Sequence, residues 1–233
     1  MTFNTFNKTI ALNFKTFPQA LGEHAVRLAR AAHDVAVANP HVLVIIAPAT
    51  PDLHAIARAT EFHSKNFMVF AQHADALEAG QHTGSVPLEA VRAAGARGVF
   101  VNHSEKRLTR DAIEKTVSRA RTLELKTLVC AESPRESREL ARFAPWAVAV
   151  EPPELIGSGV SVSTARPEVV KNALVEVKNV NSSVLFFVGA GVSNADDVRA
   201  ATSLGAEGVL LASAFVKSRE PKNFLKELVK ALE

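Results

Sequence analysis

Apolar residues along this chain gather in short unbroken runs at residues 9–12, 42–47, 67–71, 98–101, 127–131, 147–150, 184–188 and 208–211. Apolar character at successive rather than alternate positions is the mark of parallel strands covered on both faces. Between the runs the period changes. Leu21, Ala25, Leu28, Ala32 and Val35 recur at steps of four and three, as do Ile113, Val117, Ala120 and Leu123, which places each set on one stripe of a helix. Ser133-Pro134-Arg135-Glu136 offers a capping hydroxyl, a proline at the first helical position and a glutamate to close a capping box. Ser193 with Asp196 predicts a second start of this kind. Phe224, Leu225, Leu228, Val229 and Leu232 predict an amphipathic helix at the end of the chain.

Eight strands alternating with eight helical segments over 233 residues leave about 29 residues per unit, enough for a strand, a crossover helix and two loops. No linker or shift in composition divides them. The expectation is an α/β protein, one closed (β/α)8 barrel spanning residues 1–233. A doubly wound open sheet also alternates, but it commonly begins with a glycine-rich turn, where this chain has Asn13-Phe14-Lys15.

Hydrophobic residues at 47% and charged residues at 22% set aside disordered, collagen-like and coiled-coil chains. The 27 basic and 24 acidic residues leave a net charge of +3 and are scattered, without the basic face that a nucleic-acid partner needs. The apolar runs fall far short of the roughly 20 residues that span a bilayer, so no membrane partner is expected. Residues 1–8 are polar and show neither an export signal nor a transit helix. A single cysteine, Cys130, forbids an internal disulfide and a cysteine-based zinc site and suits a reducing, cytoplasmic location. It is expected to be a packing residue. His24, His33, His41, His54, His63, His73 and His82 lack the paired spacing of a metal site, and most are expected on polar helix faces.

In barrels of this kind chemistry sits at the C-terminal ends of the strands. Asn13 and Lys15 follow the first strand, His103 and Glu105 the fourth, Glu151 the sixth, Gly189 and Gly191 the seventh, and Ala212 and Ser213 the eighth. A carboxylate abutting an apolar strand, as Glu151 does, loses water and gains basicity. Gly189-Ala190-Gly191 leads through Ser193 into a helix, so free backbone N–H groups there could hold an anion, and the loops after strands seven and eight are the usual phosphate site. Residues 152–159 begin with two prolines and end in Gly157-Ser158-Gly159, which suits a hinged lid.

With these residues in place the chain resembles the triosephosphate isomerases over nearly its full length. Asn13-Phe14-Lys15, Gln72-His73 with His82-Thr83-Gly84, Asn102-His103-Ser104-Glu105, the segment from Glu151 through Pro152-Pro153-Glu154-Leu155-Ile156 to Gly159, and Gly208 through Ala212-Ser213 occur in order. The compact loops and the Glu-Pro-Pro-Glu-Leu-Ile-Gly wording resemble the short archaeal branch. The resemblance implies a TIM barrel that interconverts dihydroxyacetone phosphate and D-glyceraldehyde 3-phosphate in glycolysis and gluconeogenesis, through an enediolate and with neither metal nor cofactor. It implies Glu151 as base, His103 as neutral electrophile beside the start of the fourth helix, Lys15 as fixed positive charge, Asn13 as neutral donor, and Glu105 as the group that positions Lys15 or its neighbours. It further implies that Ile156, Gly157, Gly191, Ala212 and Ser213 present backbone N–H groups to the substrate phosphate. Thr83 would enter a neighbouring subunit's site in a homo-oligomer, a dimer or a dimer of dimers. Val188-Gly189-Ala190-Gly191 departs from the family's common Tyr-Gly-Gly-Ser, and the chain has no tyrosine to latch a lid. Glu154 stands for a common Trp, Asn102 for a common Gly, and Ala212-Ser213 for Gly-Gly. Other phosphate-handling barrels, such as a sugar-phosphate epimerase or indole glycerol phosphate synthase, and a catalytically silent barrel are the competing readings.

Overall fold

The structure is a computed structural model and describes residues 6, 8–60, 64–156 and 161–232. Its first half runs β1 (Thr9–Asn13), α1 (Glu23–Ala38), β2 (Leu43–Ala47), α2 (Leu53–Thr60), β3 (Phe67–Ala71), α3 (Leu88–Ala93), β4 (Gly98–Val101) and α4 (Arg110–Thr122). The second half runs β5 (Lys126–Ala131), α5 (Pro134–Ala141), β6 (Ala147–Val150), α6 (Val162–Ala165), α7 (Pro167–Val180), β7 (Leu185–Val188), α8 (Ala195–Ser203), β8 (Gly208–Leu211), α9 (Ser213–Val216) and α10 (Pro221–Lys230).

The strands pair in parallel in chain order, and β8 returns to β1 with Thr9 opposite Gly208 and Leu12 opposite Leu211. That last pairing closes the sheet and removes the open alternative. Helices cover the outer face and side chains fill the inner one, which is why every residue of β1, β2, β4, β6, β7 and β8 is buried. Ile10, Leu12, Val44 and Ile46 face outward against the helices, while Ala11, Leu43, Ile45, Phe70, Phe100, Leu128, Phe187 and Leu210 pack inside. A Cβ on Gly98 would lie 2.5 Å from the Phe70 ring and one on Gly208 2.5 Å from the Phe187 ring, so two absent side chains make the space for two large ones. At the N-terminal end of the barrel Trp146 meets Phe70 and Phe187 edge to face, at 6.0 and 5.6 Å, with Lys126 Nζ 4.9 Å from the centre of an indole ring. Burial pulls the Lys126 ammonium below its ordinary pKa. No helix among the described residues is long and apolar enough to cross a membrane.

Several local expectations are corrected. One-turn helices α6 and α9 stand in the connections after β6 and β8, so the helices are more numerous than the strands. Leu21 is exposed, because α1 begins only at Glu23. Ser133 Oγ does accept from the Glu136 N–H at 3.2 Å, but the Glu136 carboxylate accepts from the Glu132 N–H at 2.6 Å, so the box closes one residue early. The start of α8 is capped by Asn194, whose side chain accepts from the Asp197 N–H at 3.0 Å. The helix begins one residue later than Ser193 requires, and it is therefore Asp197, not Asp196, that accepts from the Ser193 N–H and Oγ at 2.8 and 2.9 Å. Of the described histidines outside the site only His24 and His54 stand on exposed helix positions; His41, His73 and His82 lie in loops, and His33 is on the buried face of α1, its ring edge-on to Phe67 at 5.2 Å. His63 lies outside the described residues.

Candidate active site

Side chains of a strand alternate between faces, and here the inward series continues past the strand ends. After Ala11 comes Asn13, after Phe70 Gln72, after Ala149 Glu151, after Phe187 Gly189, and after Leu210 Ala212. The apolar barrel thus acquires a polar mouth at its C-terminal end, as this architecture provides. A cavity of about 190 Å³ opens there, smaller than the roughly 300–1,000 Å³ that holds a drug-sized ligand. It brings together Asn13, Lys15, His103, Glu151, Ile156, Gly191, Ala212 and Ser213, and adds Phe17, Gly189, Val192 and Ser193 to them. Glu105 stands beside it. Gly157 lies outside the described residues, as do Ser158 and Gly159. Thr83 does not line this cavity and is exposed, on the loop between β3 and α3.

Lys15 sits on left-handed backbone, with φ at 47°. Asn13 holds it there, its Oδ1 accepting from the Lys15 N–H at 2.9 Å. Gln72 braces the same turn, donating to the Lys15 and Ala47 carbonyls at 3.0 and 2.9 Å and to Asn13 Oδ1 at 3.3 Å. The Lys15 ammonium donates to Glu105 Oε1 at 2.8 Å. Glu105 is itself mostly exposed, so the pair adds little stability. What it does is aim the amine.

His103 is 7% exposed. Its Nδ1 accepts from the Glu105 backbone N–H at 3.2 Å, which assigns the ring proton to Nε2 and leaves the imidazole neutral. Burial, then the Lys15 charge, hold its pKa below the ordinary histidine value, against a smaller opposing pull from Glu105. The fourth helix, expected to begin just after His103, begins only at Arg110, seven residues on. A single backbone amide supplies the positive pole instead.

Glu151 is 3% exposed, and its Oε2 has no hydrogen-bond partner among the described residues. Desolvation raises its pKa to about 7, the neighbouring Cys130 thiol and the Lys15 charge pulling the other way. Cys130 is buried on the inward series of β5, near enough to this carboxylate for each to shift the other. Burial, then the neighbouring carboxylate, push the thiol well above its ordinary value, so it stays protonated. A buried cysteine reads in sequence like any small apolar residue, and nothing but its place on the inward series of β5 announces the contact.

On the opposite wall Gly191, with φ at 72°, turns the chain from β7 toward α8, and Asp197 secures Ser193. The Ile156 N–H is directed to the Pro153 carbonyl at 3.3 Å, closing a 3-10 turn over Pro153–Leu155. In this conformation it is not offered to the cavity. Glu154 pairs with Arg166 at the far end of the same connection. Ser193 and Gln72 could have been found by counting inward positions and glycine-loop exits; the occupied Ile156 amide has no signal in the sequence.

The triosephosphate isomerase family model matches residues 8–232. The chain belongs to this family. A triosephosphate isomerase of Methanothermobacter thermautotrophicus is 46% identical over 220 residues, covering 94% of this chain and 93% of that protein. Those of Methanothermus fervidus and Caldivirga maquilingensis are each 44% identical, covering 94% and 96% of this chain and 96% of each relative. Membership sets aside the epimerase and indole glycerol phosphate synthase readings.

Proposed function

We propose that this protein interconverts dihydroxyacetone phosphate and D-glyceraldehyde 3-phosphate through an enediolate, with neither metal nor cofactor. The observation that carries the reading is Glu151, a buried carboxylate with one oxygen unpartnered among the described residues and a pKa of about 7, in one cavity with a neutral histidine and a lysine. A base is most effective when its pKa lies near the working pH. The pairing of a glutamate base with a neutral histidine is the general description of this family and is taken over here from it.

Glu151 Oε2 removes a proton from C1 of the ketose, and the electron pair moves to the carbonyl oxygen at C2. His103 donates its Nε2–H to that oxygen, and Lys15 stabilises the charge that develops on it. Asn13 adds a neutral contact. A proton passes from the C1 hydroxyl to the C2 oxygen, and Glu151 returns its own to C2, which yields the aldose. Glu105 positions Lys15. Gly191, Ala212 and Ser213 supply backbone N–H groups to the phosphate, joined by Gly157 and, once its 3-10 turn opens, by Ile156.

The same reading takes the chain as one domain over residues 1–233, acting in the cytoplasm as an archaeal-type enzyme of glycolysis and gluconeogenesis. It includes a homo-oligomer, dimer or dimer of dimers. In its support, Asp75 pins the base of the loop that bears Thr83, accepting from the Val86 N–H at 2.7 Å, while residues 80–84 stand exposed at its tip.

A coupled assay on dihydroxyacetone phosphate in the presence of EDTA tests the reaction. Turnover unaffected by EDTA is expected. A folded protein without turnover would overturn the reading, and turnover abolished by EDTA would overturn its metal-free form.

A further inference from the structure

We propose that Asn102 is a positioning residue, holding the segment between β4 and α4 in the one conformation that turns His103 into the cavity. The inward series of β4 runs through Phe100 and would next place residue 102 inside, with residue 103 facing away. Asn102 breaks that count. It is 1% exposed and adopts φ of 63°, left-handed backbone that asparagine tolerates better than most residues. Its side chain turns toward β5 and α5, and the next one, His103, enters the cavity.

The carboxamide secures this turn from both ends. Its Nδ2 donates to the Cys130 carbonyl on β5 at 3.0 Å and, more weakly, to Glu136 Oε1 on α5 at 3.5 Å. Its Oδ1 accepts from the Leu108 N–H at 3.0 Å, which closes residues 102–108 into a ring. Arg107, near the far side of that ring, donates to the same Glu136 oxygen at 2.5 Å and lies 3.4 Å from Glu132. Inside the ring are the two groups that depend on its shape, His103 and the Glu105 amide that fixes its tautomer. The Glu151 N–H donates to the Ala131 carbonyl at 2.7 Å, so one carboxamide joins the backbone that carries the histidine to the strand that also holds the base. Where a glycine would permit this turn, Asn102 enforces it.

The inference rests on the isomerase reading for its kinetic arm and stands without it for its spectroscopic arm. Asn102→Gly keeps the left-handed backbone accessible and removes all three bonds. Expected is a folded protein whose kcat falls about tenfold while KM stays within about twofold, because the phosphate is held on the opposite wall and a misplacement well under 1 Å is enough for that loss. Nitrogen-15 NMR of the free protein is expected to show His103 passing from one tautomer, protonated at Nε2, to a mixture. Asn102→Asp keeps the acceptor for Leu108 and loses both donors, so an intermediate loss is expected, and it carries the test if the glycine variant does not fold. Native kcat with a single native tautomer in the folded variant would overturn the proposal, as would lowered stability with kcat unchanged. Should the native protein lack isomerase activity, the isomerase reading fails and the tautomer alone decides the role of Asn102.

Discussion

Gly189 and Glu151 occupy adjoining inward positions just past the ends of β7 and β6, and the glutamate side chain lies across the space a side chain on Gly189 would fill. A Cβ there would stand 2.6 Å from Glu151 Cγ and 2.7 Å from its Oε1. Neither contact can be relieved without moving the carboxylate or the strand. Gly189→Ala should therefore leave the barrel folded and displace the base, lowering kcat by on the order of 100-fold. Steady-state kinetics on a variant with native circular dichroism checks this, and native turnover would mean that Glu151 works from another orientation.

Shortening the base tests its reach directly. Glu151→Asp keeps the charge and withdraws the carboxylate by roughly 1 Å, so kcat should fall on the order of 100-fold with KM little changed. A substrate deuterium effect on kcat establishes that proton transfer limits the rate being compared. Full turnover in the folded variant would reassign the base.

Ionisation of Glu151 should be visible in two ways. The kcat/KM of the free enzyme should fall as pH drops through about 7, a unit above the second ionisation of a phosphate ester, near 6. In stability the sign runs with protonation. A carboxyl raised from 4.5 to about 7 binds more protons folded than unfolded, so its contribution is present below pH 4.5 and is lost as pH rises through 7. Glu151→Gln cannot lose it. The variant should therefore gain on the native protein, by on the order of 3 kcal/mol at pH 8.5 relative to pH 4. Denaturant unfolding at the two pH values checks it, and a difference independent of pH would show that the folded carboxyl is not strained by burial.

Lys15→Met removes the cavity's ammonium at nearly constant side-chain length. Turnover should fall by on the order of a thousandfold or more, since fixed charge acts on both phosphate and enediolate. The Glu105 pair is too exposed for its loss to unfold the protein. Activity within tenfold of native in a coupled assay would remove Lys15 from the site.

The barrel was legible because a strand buried on both faces has to be apolar throughout. β3, β4, β6 and β8 match their apolar runs end to end, and β1, β2, β5 and β7 differ by one residue. Asn13, Lys15, His103 and Glu151 were legible as strand-end residues, the topology alone bringing three distant segments to one rim. What stayed hidden depends on backbone and hydrogen geometry. No side-chain type announces that Lys15 and Asn102 turn left-handed, that the Ile156 amide is spent on Pro153, or that Cys130 lies beside Glu151. The position of His103 relative to α4 was misread for the same reason, since the loop between them is irregular and follows no period.

The ring cluster that plugs the barrel floor makes the molecule its own optical probe. Trp146 is the only tryptophan, and there is no tyrosine, so near-ultraviolet emission comes from one indole set between Phe70 and Phe187. Trp146 stands five residues before Glu151, about 16 Å away along β6. Intrinsic fluorescence therefore reports whether the eight strands are closed and is blind to events at the mouth, so a ligand titration needs a different signal, while an unfolding curve can be read in the presence of saturating ligand without correction.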